Sequence, residues 1–174
     1  FMRETDPNPS SSSNNSSAEP QTPMLPSSGK YGVKELIALA KSAGFTDEES
    51  IKMAALAMAE SGGDPGERYN PKGSTEDSYG LWQINMDPKY RDNRLRMFGI
   101  SSVEELYDPV TNVKAAKIIY DLQGYNAWTT YGGKRYEDNL KDARSVAPSI
   151  LSSSNQNTEA NKIASVTEER KGQT

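Results

Sequence analysis

Two short segments of this chain hold the side chains best suited to chemistry. The first, Ala57-Met58-Ala59-Glu60-Ser61-Gly62-Gly63, closes an apolar stretch of helical spacing on a glutamate. The second is Ser78-Tyr79-Gly80-Leu81-Trp82-Gln83-Ile84-Asn85. A carboxyl group in the last turn of a helix lies beside unpaired carbonyls that together carry about half a negative charge. That field, with burial against Met58, Trp82 or Tyr79, predicts a raised pKa for Glu60. Such a carboxyl can act as a general acid near neutrality. Taken alone, Glu60 also reads as a surface glutamate ahead of a loop. The second segment shifts that balance. Gly80 lets backbone come close to a ligand, and Gln83 and Asn85 can hydrogen-bond hydroxyl and amide groups. Tyr79 and Trp82 can pack on flat apolar faces or build a groove wall. Leu81 and Ile84 read as core.

Composition removes the competing chemistries. The chain has no histidine and no cysteine. A Ser-His-Asp triad, a His-based zinc site, thiolate ligands and disulfides are all excluded. Acid–base work falls to carboxylates, Lys or Tyr. No Asp-X-Asp-X-Asp-Gly calcium loop and no phosphate-binding glycine loop is present, so no metal and no cofactor is expected. The net charge of -4 gives no basic footprint for nucleic acid. Lys89, Tyr90, Arg91, Arg94 and Arg96 do cluster, but acids interleave, which reads as a solvated surface before it reads as contact with an anionic polymer. No run approaches the roughly 20 apolar residues of a membrane span, so no membrane insertion is expected. No leader is visible; Phe1 is no initiator residue, which reads as a processed product or a fragment.

The elements that must position these residues are helical. Residues 1–29 are a Ser/Pro/Asn-rich linker or arm, too polar to offset their ordering entropy. That end and the other account for the mean hydropathy of -0.80. Val33, Leu36, Ile37, Leu39 and Ala40 have helical spacing, with Gly44 as a stop. Thr46-Asp47-Glu48-Glu49 is a capping box opening the helix that leads to Glu60, and Gly62-Gly63 ends it. Residues 62–78 read as an irregular loop or short hairpin. Ser101 to Glu105 form a second capping box. Asp108-Pro109 opens a further helix that Gly124 ends. Tyr136 to Ile150 is a last helix, limited by Pro148. Residues 152–174 are a polar tail in which Thr158 to Arg170 form a weakly amphipathic helix. The expected domain is therefore 30–151: all-α, compact, with an irregular loop or hairpin in its cleft.

The two opening segments resemble the Glu-Ser and Gly-Leu-X-Gln-Ile/Val motifs of the lysozyme-like lytic transglycosylases, whose relatives include the goose-type lysozymes. Asp108-Pro109-Val110-Thr111-Asn112-Val113-Lys114-Ala115-Ala116 looks like the Asn-plus-Ala helix that follows in that family, packed behind the helix of the glutamate. Gly124-Tyr125-Asn126-Ala127-Trp128-Thr129-Thr130-Tyr131 is similar to its late aromatic segment, though the usual Tyr-Asn-X-Gly form is altered. The match covers about residues 31–150. It implies a lysozyme-like fold and cleavage of peptidoglycan glycan strands, the partner, with Glu60 as the catalytic acid. Ser61, Tyr79, Gly80, Trp82, Gln83, Asn85, Trp128 and Tyr131 are the substrate-binding candidates, and either Tyr131 or Tyr125 is expected to contact Glu60 or the sugar.

The resemblance implies a reaction without water. One glutamate protonates the leaving oxygen, then deprotonates the muramoyl 6-hydroxyl to give a 1,6-anhydro product. A hydrolase needs a second carboxylate instead. Asp64, Glu67, Glu76 and Asp77 are the candidates, Asp77 foremost because it precedes the Tyr79-Gly80 turn; each also reads as a solvated loop charge. A lysozyme-like module that binds glycan without cutting is the alternative from another class. The polar ends suggest a domain carried by a larger assembly, such as a phage tail or virion, acting outside the cytoplasm in the bacterial wall or periplasm. A bacterial wall-remodelling enzyme or secretion accessory is equally compatible.

Overall fold

The computed structural model describes residues 29–171. The arm expected over 1–29 lies outside the described residues, apart from Gly29. The elements run α1 (Val33–Ser42), α2 (Asp47–Ser61), β1 (Arg68–Tyr69), β2 (Ser78–Tyr79), β3 (Ile84–Asn85), α3 (Pro88–Phe98), a 3-10 turn (Val103–Tyr107), α4 (Pro109–Gln123), a second 3-10 turn (Gly124–Ala127) and α5 (Lys134–Lys171). This is the mainly helical architecture the periodicity implies.

Helix α2 is the centre of the molecule. Thr46 caps it: its hydroxyl accepts from the Glu49 N–H at 3.3 Å, and the Glu49 carboxylate accepts from the Thr46 N–H at 2.8 Å. Ile51, Met53, Ala54, Ala55, Leu56, Ala57 and Ala59 are all buried. A helix apolar on so many sides belongs inside, and α1 and α5 cover it. Gly62, at φ 64°, ends it with its N–H on the Met58 carbonyl. Glu60 sits where the helix leaves the core, which is why a carboxyl is tolerated there.

The loop between the two sequence segments supplies β1, which joins two strands of the second segment in a three-stranded antiparallel sheet of order β1-β2-β3, with Arg68 opposite Tyr79 and Tyr79 opposite Ile84. The second segment is thus two strands and the tight turn between them. Gly80 makes that turn at φ 74°. A Cβ there would come within 2.3 Å of the Asn112 side-chain nitrogen and 2.5 Å of the Leu106 carbonyl. The close approach expected for a ligand is therefore made by the protein itself, by Asn112 of α4 and the Leu106 carbonyl of the first 3-10 turn. Gly80→Ala is expected to cost about 2–4 kcal/mol, from backbone strain plus overpacking. Urea unfolding measures it, and a loss under about 1 kcal/mol would contradict this packing.

Two elements differ from the expectation. Helix α3 has no buried residue, hence no apolar stripe to betray it. It is set by its ends: Asp87 accepts from the Lys89 N–H at 2.8 Å, Pro88 opens the first turn and Gly99 closes the last at φ 68°. Pro148 does not end α5, which continues to Lys171 and includes the stretch 158–170. A proline removes one backbone donor from a helix interior. Here Ala143 and Ala147 are buried, and Val146, Ile150 and Leu151 pack on the core. Those anchors on both sides of Pro148 hold the helix through it.

Candidate active site

An open cleft of about 520 Å³ separates the end of α2 from the small sheet. Its walls are Ala59 and Glu60 of α2, Glu67, Tyr69, Glu76, Ser78, Gln83 and Asn85 of the sheet and its loops, Ala127 to Thr130 of the segment before α5, and Arg135. The two opening segments of the sequence therefore meet across one groove. Not all of their side chains enter it.

The carboxyl of Glu60 is held above its ordinary pKa. Burial raises it, and the charge of Glu76 adds to that rise; the Thr130 hydroxyl bond and the charge of Arg135 oppose it without cancelling it. The Thr130 hydroxyl donates to Glu60 Oε1. The field of the helix end anticipated the direction of the shift. Desolvation in the groove is its main cause.

Gln83 and Asn85 line the cleft. Gln83 has a φ of 46°, the one positive value on a non-glycine among the described residues. Its amide donates to the Gly80 carbonyl at 2.9 Å and to the Glu67 carbonyl at 3.2 Å. Strained backbone of this kind persists where surrounding bonds over-determine it, often at ligand sites. The Asn85 side-chain oxygen accepts from the Asp87 N–H at 2.8 Å.

Tyr79, Gly80, Trp82 and Ser61 support the groove from behind. Trp82 is fully buried, with its indole N–H on the Met53 carbonyl at 3.0 Å and its backbone N–H on the Asn112 side chain at 3.0 Å. The Ser61 hydroxyl reaches the Leu81 carbonyl at 2.9 Å, tying α2 to the Gly80 turn. Tyr79 is buried under Tyr107 and gives its hydroxyl to Asp77 at 2.7 Å. Burial and the Asp77 carboxylate push the Tyr79 phenol up to about 12. An indole and a phenol so enclosed have no flat face left for a sugar.

The late aromatics divide. Trp128 is buried beside the cleft and donates its indole N–H to the Trp82 carbonyl at 2.8 Å. Tyr131 stacks on Tyr125 with ring centres 4.6 Å apart and leans on Tyr136. Neither Tyr125 nor Tyr131 is among the residues lining the cleft. The side chain that reaches Glu60 from this segment is Thr130, whose aromatic neighbours carry the stronger signal in sequence. Arg135 escapes sequence reading too, since a charge in the first turn of a surface helix carries no local signature.

The four loop acids also separate. Asp77 accepts from Arg68 at 2.8 and 3.2 Å, from Asn70 at 3.1 Å, from Tyr79 at 2.7 Å and from Arg91 at 3.1 Å. Burial raises its pKa, but these donors outweigh burial and hold the carboxyl below its ordinary value. It braces the sheet and lies outside the groove. Asp64 caps a turn through the Gly66 N–H and pairs with Lys30, also outside the groove. Glu67 and Glu76 line the cleft with Glu60.

The family model for the lysozyme-like domain matches residues 37–130, more than half of the chain. The chain belongs to the lysozyme-like domain family. No curated protein matches it. The matched span of this lysozyme-like domain runs from α1 through Thr130, so it takes in both opening segments, α4 and the segment that reaches Glu60. Family membership points to a peptidoglycan-degrading activity, exerted outside the cytoplasm. Among the described residues no helix is long and apolar enough to cross a membrane.

Proposed function

We propose that this lysozyme-like domain cuts the β-1,4 bond between N-acetylmuramic acid and N-acetylglucosamine in peptidoglycan, with Glu60 as acid and then base. The observation that carries this is a half-buried carboxyl of raised pKa, opening on a groove lined by amides. The Glu60 carboxyl proton passes to the bridging oxygen as the C1–O bond breaks. The muramoyl 6-hydroxyl then bonds to C1 and returns its proton to Glu60. Bonds and protons balance without water, and the product ends in a 1,6-anhydro sugar.

A hydrolytic reading is favoured by one observation: Glu76 shares the groove, and its charge acts on Glu60. Water activated by Glu76 would then take the place of the 6-hydroxyl. Mass spectrometry of digested peptidoglycan separates the two. Anhydro-muropeptides that persist in Glu76→Gln within a few-fold of the wild-type rate support the single-glutamate path. Reducing ends that disappear in Glu76→Gln support hydrolysis. On the single-glutamate path, removing the Glu76 charge lowers the pKa of Glu60, so the alkaline limb of the rate profile moves to lower pH. Absence of any product would move the weight to a glycan-binding module.

For setting, we propose delivery to the wall by a larger particle such as a phage tail or virion. The support is compositional, from the Ser/Pro/Asn-rich stretch at 1–29. Antibody labelling of intact particles from the source would test it.

A further inference from the structure

We infer that Thr130 is a positioning residue for Glu60: it holds Oε1 and leaves Oε2 as the oxygen that carries the acid proton. The inference rests on the glycan-cleavage reading for its role in catalysis, and on geometry for the contact itself. The Thr130 hydroxyl donates to Glu60 Oε1. Among the described residues, Oε2 has no hydrogen-bond partner, on a side chain that lines the groove. A carboxylic acid accepting on one oxygen keeps its proton on the other. The oxygen with the open face is then the one that meets the bridging oxygen of a glycan.

Thr130 is itself held in place. Its carbonyl accepts from the Gly133 N–H at 3.0 Å, and the Trp128 carbonyl accepts from the Tyr131 N–H at 3.2 Å. The Trp128 indole is pinned to the Trp82 carbonyl, and the Trp82 indole to Met53 of α2. Hydrogen bonds therefore run from α2 through two tryptophans, and two residues along the chain from Trp128 the Thr130 hydroxyl returns to α2 at Glu60. The hydroxyl is delivered by a rigid segment, so it can select one orientation of the carboxyl rather than follow it. The bond also favours the ionised form and limits the rise that burial causes. The charged or ionisable groups that share this groove are Glu67, Tyr69 and Glu76 on the sheet side and Arg135 on α5. All remain when Thr130 is changed.

The test is carbon-detected NMR titration of the Glu60 carboxyl in the full chain, beside pH–rate profiles on peptidoglycan. Thr130→Val keeps the shape and removes the donor; Thr130→Ser keeps the donor; Thr130→Ala serves if the valine does not fold. The valine or alanine variant is expected to raise the Glu60 pKa and move the alkaline limb of kcat/KM to higher pH. It should also lower kcat about 10- to 100-fold through loss of orientation, and serine should restore all three. An unmoved Glu60 pKa in the valine variant would overturn the inference. If the titration moves but wild-type protein releases no muropeptides, the coupling stands and the cleavage reading fails.

Discussion

Glu60→Gln is expected to abolish glycan cleavage and, at neutral pH, to stabilise the fold. A positioned general acid contributes about 10²–10⁴ in rate. Glutamine can still accept from Thr130 but has no proton to give, so the loss should be on the order of 10³-fold or more, measured as soluble muropeptide release. The stability effect follows from the direction of the pKa shift. Glu60 has a higher pKa in the folded chain than its ordinary value, chiefly through burial. Its proton binding therefore favours the native state below the unfolded pKa, and that contribution is lost as pH rises through the folded pKa. Above the unfolded pKa the wild type must either hold a proton that the unfolded chain releases or desolvate a carboxylate, and glutamine does neither. Thermal melts should show the variant above wild type at pH 7 and level with it below about pH 4. A variant that melts lower than wild type at pH 7 would mean that burial is not what perturbs this carboxyl.

Asn112→Ala should be the most destabilising single change near the groove. Asn112 is fully buried and joins three segments. Its amide donates to the Tyr79 carbonyl at 2.9 Å and the Leu106 carbonyl at 2.7 Å, and its oxygen accepts from the Trp82 N–H at 3.0 Å. Alanine leaves three buried backbone groups without partners and opens a cavity. Each stranded group costs about 1–3 kcal/mol, and the sum is less than additive, so about 3–5 kcal/mol is expected. Asn112→Asp is the informative companion. It is nearly the same shape, yet it sets a carboxyl against two carbonyls. If urea unfolding places Asn112→Asp within about 1 kcal/mol of wild type, volume and not hydrogen-bond polarity is what matters here. Both variants should also weaken activity, because Tyr79 and Trp82 flank the Gly80 turn that sets Gln83.

Much of the fold is legible in local signals. The Thr46 capping box, Gly62 and Asp108-Pro109 each act within one helical turn, and each marks the element it was expected to mark. Helix α3 escaped because its sequence has no apolar period; only its Asp87-Pro88 opening and Gly99 close were there to be read. Pro148 misled for the opposite reason. A strong local breaker was overridden by apolar contacts on either side of it, and those contacts come from elements far away in the chain.

Composition alone limited acid–base work to carboxylates, Lys or Tyr, since the chain offers no histidine or cysteine. The resemblance of the segments around Glu60 and Gln83 to lysozyme-like motifs is what pointed to Glu60 among the carboxylates, since its place at the end of an apolar helix also fits a surface glutamate. Folding settled what surrounds that acid. Tyr79, Trp82 and Asp77 look like groove residues in one dimension, yet Tyr79 gives its hydroxyl to Asp77, Trp82 gives its indole N–H to Met53, and Asp77 accepts from Arg68. Thr130 and Arg135 look like surface residues and face the acid. The reason is physical: helix caps and turns are settled by neighbours in the chain, whereas the direction of a side chain in a short strand or loop is settled by burial and by partners that only folding brings near.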